Sequence, residues 1–397
     1  MALSFELSDA QAAIRDTCRE FAGQVVAPQA GDWDRREEFP YPLVRQMAEL
    51  GLFGLPYPES VGGAGADFVS YLLALEEIAR ADASLAITLE AAVSLGIAPI
   101  YYYGTPGQKE TYLPDLCAGR RLWAFGLTEP EAGSDAGGTK TRARREGTEY
   151  VVDGSKCFIT NSGTEISAGV TITAITSEQG GRKRISALLV ERARPGYQVA
   201  PPYRKLGWHA SDTRELTFAN CRVPEANLLG TEGGGLGQFF KTLEAGRVAI
   251  AALAVGLAQA CLDAALGYAQ ARRQFGRPIS QFQATQLKLA DMATQIELSR
   301  LMVWRAGTLI DQGRAAGRYA AMAKLHASET ATWCANQAVQ IHGGAGFMED
   351  LPVARYYRDV KINEIGEGTS EVQRLIIASH LLGLGGSVSR LLDQEPS

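Results

Sequence analysis

Paired cysteines are what this chain most plainly lacks. Its six cysteines, Cys18, Cys117, Cys157, Cys221, Cys261 and Cys334, are scattered with no C-x-x-C pair. Neither a disulfide framework nor a thiolate zinc site is expected, and each is read as a buried free thiol. Histidine is scarce too: His209, His326, His342 and His380 show no helical-pair spacing, so no metal site is expected. There is no basic excess. A formal net charge of -5 offers nothing to neutralise a phosphate backbone, and nucleic acid is not an expected partner. Glu6 and Asp9 precede any Lys or Arg, which argues against a secretory signal. The longest nearly apolar stretch, between Arg247 and Asp263, is shorter than the roughly 20 residues of a membrane helix. A cytoplasmic protein with no integral membrane segment is the expectation.

What the chain has is apolar bulk. With 397 residues, 46% of them hydrophobic, it can bury a large core in more than one domain. Ser8 and Gln11 match a capping box, and Ile14, Cys18, Phe21 and Val25 follow at helical spacing, predicting an amphipathic first helix. Helical text continues through Pro40 to Gly51, Tyr71 to Ala81 and Gly107 to Ala118, broken by glycine clusters. From about Arg121 the period becomes that of strands. Tyr150-Val151-Val152 precedes the turn pair Asp153-Gly154, followed by alternation through Val170, Ile172 and Ala174, then Ile185 to Val190 and Glu215 to Phe218. The glycine-rich run Gly233 to Gly237 has no strand before it and no G-x-G-x-x-G, so it reads as a domain junction rather than a dinucleotide-binding turn. Beyond it, Phe239 to Arg272, Gln283 to Gln312, Arg318 to Ile341 and Pro352 to about Leu382 read as long helices. Leu289, Met292, Ile296, Val303 and Ile310 trace one stripe, and Val248 to Cys261 is apolar on nearly all faces, as a helix buried on all sides requires. The fold class is α+β: an N-terminal helical domain (residues 1–120), a middle β-barrel-like domain (121–232) and a C-terminal four-helix bundle (233–397).

One carboxylate stands out. Glu367, in Ile365-Gly366-Glu367-Gly368-Thr369-Ser370, lies at a break between two helical segments, with Ser370 and Gln373 matching a capping box for the second. Locally this predicts a joint with Glu367 facing outward, and a Glu in such a joint is ordinarily a solvated loop residue. Two distant motifs alter that reading: Gly126-Leu127-Thr128-Glu129-Pro130-Glu131-Ala132-Gly133-Ser134-Asp135, and Gln340-Ile341-His342-Gly343-Gly344-Ala345-Gly346-Phe347-Met348-Glu349-Asp350, continuing to Arg355 and Asp359. With Glu367-Gly368-Thr369 they resemble the acyl-CoA dehydrogenase family, and the likeness runs from the Ser8 helix to about Leu382.

The resemblance implies FAD-dependent dehydrogenation of a short or medium saturated acyl-CoA to its trans-2-enoyl thioester. Glu367 would take the α-proton, flavin N5 the β-hydride, and electron-transferring flavoprotein the electrons. Family members carry the base either in the C-terminal loop or just before an Arg on the first long bundle helix; here that second position is Gly246, before Arg247, so the resemblance assigns the base to Glu367. Glu244 would face another side of the helix. For FAD the resemblance implies contacts from Phe125, Leu127, Thr128, Gly133 and Ser134, from Phe158 and Thr160, and from Thr369 and Glu371 after the base. It further implies contacts from Arg272, Gln274, Phe275, Phe282 and Gln283 of a neighbouring subunit, and from Gln340, Gly343 and Gly344. A guanidinium such as Arg272 suits a diphosphate because its planar fork donates paired hydrogen bonds. Ser134, Glu244, Arg247 and Gly368 are implied on the substrate side, and the Ser177 to Arg184 loop could meet CoA phosphates. Two departures are expected to matter: Phe158 replaces a frequent Trp, and His209 stands where Arg is usual. Ala86 falls where glutaryl-specific relatives place an Arg, which disfavours a dicarboxylic substrate. A homotetramer of paired dimers is implied, working in fatty-acid β-oxidation and lipid metabolism. The alternatives are a flavin oxidase of the same fold using O2, and a non-catalytic helical scaffold.

Overall fold

The computed structural model describes residues 5–385; the outer limits of the expected first and last domains, residues 1–4 and 386–397, lie outside them. Helices come first: α1 (Asp9–Phe21), α2 (Ala27–Arg36), α3 (Tyr41–Glu49), α4 (Phe68–Ala81), α5 (Ala83–Glu90), α6 (Ala98–Tyr103) and α7 (Pro106–Cys117). The capping box at Ser8 and Gln11 forms, each side chain bonding the other's main-chain N–H. Between α5 and α6 the helix widens into a π-helical segment, Ala91–Ile97.

The middle of the chain is a sheet of β1 (Leu122–Gly126), β2 (Arg142–Glu146), β3 (Glu149–Thr160), β4 (Ser167–Gln179), β5 (Arg182–Glu191), β6 (Tyr197–Val199), β7 (Thr213–Pro224) and β8 (Leu228–Leu229). Its order is β6-β7-β3-β2-β4-β5-β8, with β1 parallel to β4. The expected turn at Asp153-Gly154 does not form. β3 runs through it, and the pair sits at a register shift opposite β7, with Gly154 at φ 150°. A Cβ on Gly154 would lie 2.5 Å from Thr141 Oγ1, so the glycine answers a close approach inside a bulged strand. The hairpin bends instead at Gly147, φ 62°, between β2 and β3. Val152, Ile159, Val170, Ile172, Leu188 and Phe218 belong to the sheet's own core.

The C-terminal part holds α8 (Gly235–Ala271), a small hairpin of β9 (Arg273–Gln274) and β10 (Arg277–Pro278), α9 (Gln283–Asp311), α10 (Gly317–His342), α11 (Pro352–Asp359) and α12 (Ser370–Leu381). The fourth expected helix is therefore broken: a 3-10 turn, Val360–Glu364, and the Glu367 joint divide α11 from α12. Thr369, not Ser370, caps α12. Its hydroxyl accepts from Val372 N at 3.3 Å, while Gln373 donates back to the carbonyls of Glu367 and Gly368 at 3.2 and 2.8 Å. Met292, Ile296 and Val303 of the α9 stripe are buried, and so is nearly all of Val248 to Cys261. α8 packs against α4, α9 and α10, so the first and last helical parts share one core. Two helical runs, Ala83–Tyr103 and Gly235–Ala271, are long and apolar enough to cross a membrane; their apolar windows are 94% and 78% buried inside this fold, which accounts for their composition.

Candidate active site

The site begins with a backbone that few residues tolerate. Glu367 has φ 55° and Gly368 φ 99°, a left-handed pair that turns the chain sharply between the 3-10 turn and α12. This turn carries the Glu367 side chain inward, against the outward direction that the local pattern suggests. Both of its carboxyl oxygens are buried, and neither has a hydrogen-bond donor. The side chain occupies the space that a β-carbon on α8 would fill: a Cβ on Gly246 would collide with Glu367 Oε2.

Two cations close over the joint without bonding its carboxylate. Arg247 Nε donates to the Glu367 carbonyl at 3.2 Å, and Lys324 Nζ donates to the Gly368 carbonyl at 2.8 Å. Burial pushes Lys324 down to about 8 against the pull of the Glu367 charge, and burial likewise lowers Arg247. Desolvation raises Glu367 to about 7, opposed by Arg247, Glu90 and Lys324. A carboxyl titrating there is a far stronger base than a solvated one, and it still ionises near neutral pH. Glu244 bonds Lys241 at 2.7 Å and faces Gly317 at the start of α10, on a different side of α8 from Gly246.

The β domain meets this joint along α8. Phe125 on β1 stacks on Phe239, ring centroids 4.1 Å apart, and the helical rise puts Phe239 about 10 Å along α8 from Gly246. Leu127 and Thr128 follow β1 and are tied to β3: the Leu127 carbonyl accepts from Lys156 Nζ at 3.3 Å and the Thr128 carbonyl from Cys157 N at 2.9 Å. Gly133 and Ser134 lie exposed at the loop's tip, and Thr160, at the end of β3, is half-buried. Phe158 is bulged out of β3 at φ 60°, is 66% exposed, and leans on Tyr203 at 5.3 Å. A strained, bulged aromatic presented to open space is the form of a ligand platform.

The sequence pattern gave no warning of what anchors this loop. Glu129 and Lys156, both buried, pair at 2.7 Å. Glu129 also accepts from the Thr139 hydroxyl, from Lys140 N at 2.6 Å and from Thr141 N at 3.2 Å. Desolvation would raise its pKa, but Lys156 and these bonds hold it at about 2. The one signal that could have pointed to it is the single lysine of β3, next to the apolar run Cys157-Phe158-Ile159.

The remaining expected cofactor residues lie elsewhere. Arg272 ends α8, with Gln274 and Phe275 in the β9–β10 hairpin and Phe282 and Gln283 at the start of α9. Phe275 is 93% exposed at φ 50° and meets Phe282 edge-on at 6.0 Å. Gln340, Gly343 and Gly344 are exposed at the end of α10, where His342 stacks on Tyr268 of α8 at 4.3 Å. Along α8, Arg272 is about 39 Å from Gly246 at 1.5 Å per residue. One chain thus carries the expected cofactor residues in two separate groups. Thr369 and Glu371 stay with Glu367 at the cap of α12. Of the Ser177 to Arg184 segment, Lys183 and Arg184 donate to the Thr139 and Glu232 carbonyls at 2.9 Å each.

His209 also finds a place. Its Nε2 donates to the Lys205 carbonyl at 2.9 Å, and its Nδ1 lies 3.1 Å from Asp34, whose other oxygen accepts from Arg358 at 2.5 Å. The imidazole bridges α2 and α11 through Asp34 and Arg358.

A joint holding a buried basic carboxyl, beside a sheet that offers an exposed aromatic and a polar loop, is the arrangement of a flavin-type dehydrogenase site, and the residues near it fit such a cofactor: a ring platform at Phe158 and open main chain at Gly133 and Ser134. Three family models match this chain: acyl-CoA dehydrogenase N-terminal domain over residues 8–120, middle domain over 124–221 and C-terminal domain over 233–382. The chain belongs to the acyl-CoA dehydrogenase family, flavin-dependent oxidoreductases whose cofactor is FAD. It is 51% identical to a probable acyl-CoA dehydrogenase of Bacillus subtilis over 96% of this chain and 100% of that protein. It is 45% identical to the short-chain specific acyl-CoA dehydrogenase of Mus musculus over 96% and 92%. The solved structure of butyryl-CoA dehydrogenase from Megasphaera elsdenii superposes with TM-score 0.93 at 41% identity, covering 96% of this chain and 100% of that one.

Proposed function

We propose that this protein dehydrogenates a short or medium saturated acyl-CoA to its trans-2-enoyl thioester, with Glu367 as the base. The observation that carries this reading is the Glu367 carboxyl, buried without a donor and held near pH 7 in a space that only a glycine at 246 leaves open. When bound, FAD supplies the acceptor for the β-hydride.

The chain's own residues do the rest. The Glu367 carboxylate removes the α-proton, its basicity raised by burial, while its main-chain N–H holds the thioester oxygen and so acidifies the α-carbon. Arg247 and Lys324 fix the joint through its carbonyls and lower the cost of its negative charge. Phe125, Leu127, Thr128, Gly133, Ser134, Phe158, Thr160, Thr369 and Glu371 would hold the flavin from one protomer. Arg272, Gln274, Phe275, Phe282, Gln283, Gln340, Gly343 and Gly344 would hold it from another, since Arg272 lies about 39 Å along α8 from Gly246 beside the Glu367 joint, too far for one cofactor to span both groups within one copy. This supports an association of copies, for which the family resemblance implies a homotetramer of paired dimers. Ala86, 0% exposed and uncharged, supports a monocarboxylic acyl group, and the likeness to short-chain and butyryl-CoA enzymes supports a short one. Electrons pass to electron-transferring flavoprotein, and the location is cytoplasmic.

The test is anaerobic mixing of the yellow holoenzyme with a chain-length series of acyl-CoAs. Flavin bleaching by short or medium chains, and its loss by about 10²- to 10⁴-fold in Glu367→Gln, is expected. Full turnover in that variant, with flavin retained, would remove Glu367 from the role. Prompt peroxide formation in air would favour an oxidase.

A further inference from the structure

A second carboxyl lies against the first. Glu90 ends α5, where the helix widens into its π-helical segment, a distortion that recurs at functional sites. It is 0% exposed, and both of its carboxyl oxygens lack a donor. It is also the one charged residue between Asp82 and Lys109. Its carboxyl is within hydrogen-bonding reach of that of Glu367.

We propose that Glu90 and Glu367 form one proton-sharing pair, in which Glu90, a positioning residue, keeps its proton and donates it to the carboxylate of Glu367. The proposal rests on Glu367 being the base and adds what holds that base in place.

Two ionised carboxyls at contact in a buried site repel too strongly to coexist. Apart from the Ser94 hydroxyl beside Glu90, neither has another donor, and two carboxyls bond each other only if one of them carries a proton. The surroundings decide which. Arg247 on α8 and Lys324 on α10 bond the main chain of the Glu367 joint and favour charge there. Glu90 faces Tyr71 of α4 and Ser94 of its own π-helical turn, neutral hydroxyls 3.0 Å from each other. Glu244 on α8, Glu364 before the joint and Glu371 on α12 act on Arg247 and Lys324. Burial and the Glu367 charge accordingly push Glu90 well above the usual carboxyl range. The pair then carries a single negative charge at neutral pH, placed on the member that meets the substrate.

The experiment uses the FAD-loaded oligomer with Glu90→Gln and Glu90→Leu. Difference infrared spectra of the substrate-free protein at neutral pH are expected to show a protonated-carboxyl band that Glu90→Gln removes. In the pH dependence of kcat, Glu90→Leu is expected to move the acid limb up by about one pH unit or more, because Glu367 loses its donor. Glu90→Gln, whose amide still donates, is expected to keep that limb while losing any upper inflection. An acid limb unmoved in Glu90→Leu, or a band that survives Glu90→Gln, overturns the pair. If Glu90→Leu does not fold, the band and the Glu90→Gln profile still decide. Full activity of Glu367→Gln would instead overturn the base assignment, leaving the infrared result to judge the pair.

Discussion

Glu129 and Glu367 are both carboxyls withdrawn from water in the same chain, and the protein treats them in opposite ways. Glu129 receives Lys156, a threonine hydroxyl and two main-chain N–H groups, and is held at about 2. Glu367 receives no cation, hydroxyl or main-chain N–H, its two nearby cations spent on carbonyls, and rises to about 7. Burial alone therefore does not make a base. What separates a structural carboxylate from a reactive one here is whether its lone pairs are satisfied before substrate arrives.

The largest effect expected from breaking this comparison is on the satisfied side. Lys156→Met leaves Glu129 buried and unpaired, and should cost about 3–5 kcal/mol of stability, measured by denaturant melts. Adding Glu129→Gln should restore part of it. Glu367→Gln should leave stability unchanged or improved, since it replaces an unsatisfied charge with an amide. Equal losses from both single substitutions would erase the distinction.

Gly246→Ala tests the space itself. The new methyl would collide with the far end of a side chain rather than with main chain, so the Glu367 carboxyl is expected to swing aside. A misplacement of about 1 Å lowers kcat by up to roughly 10²-fold, with little change in melting temperature. A destabilised protein of normal kcat would show that the backbone had yielded instead.

The two carboxyls also predict opposite pH windows. Glu367 has a raised folded-state pKa, so the stability linked to it is present below its ordinary 4.5 and is lost as pH rises through about 7. Activity runs the other way, because the ionised form is the base, and kcat should fall about tenfold per pH unit below that point. Glu129 is depressed: its contribution is present above 4.5 and lost as pH falls through about 2. Denaturant melts of wild type, Glu367→Gln and Glu129→Gln across both windows separate the two. A wild-type stability that rises between pH 4.5 and 7 relative to Glu367→Gln would mean that the folded protein favours the ionised carboxylate, the reverse of the expected sign.

The family resemblance carried by two distant motifs made the reactive side readable, while local pattern hid the structural side. Locally Glu367 was only a carboxylate in a glycine-flanked break, and the α8 and α9 apolar patterns showed where the helices bury. Yet the same local text pointed its side chain outward, because the left-handed turn that aims it inward is set by packing against α8. Asp153-Gly154 looked like a turn because the pair usually is one, and long-range pairing of β3 with β7 overrode it. Ser370 and Thr369 are adjacent hydroxyls, and a one-residue shift decides which caps. Glu129 and Lys156 are far apart in the chain with no local rule joining them, and Glu90 could not be oriented until α5 met the joint.

The smallest predicted effect extends the satisfied side to a third buried carboxylate. Asp34 is shared by His209 and Arg358, so removing one partner leaves the other in place. His209→Ala loses the bond to the Lys205 carbonyl and one contact to Asp34, which should cost about 1 kcal/mol, with kcat and KM unchanged. The contrast with Lys156→Met is the point: a carboxylate that keeps its arginine tolerates the loss of a neighbour, whereas one that depends on a single lysine does not. A rise in KM for acyl-CoA in His209→Ala, at unchanged stability, would move His209 from the packing of α2 and α11 to the substrate.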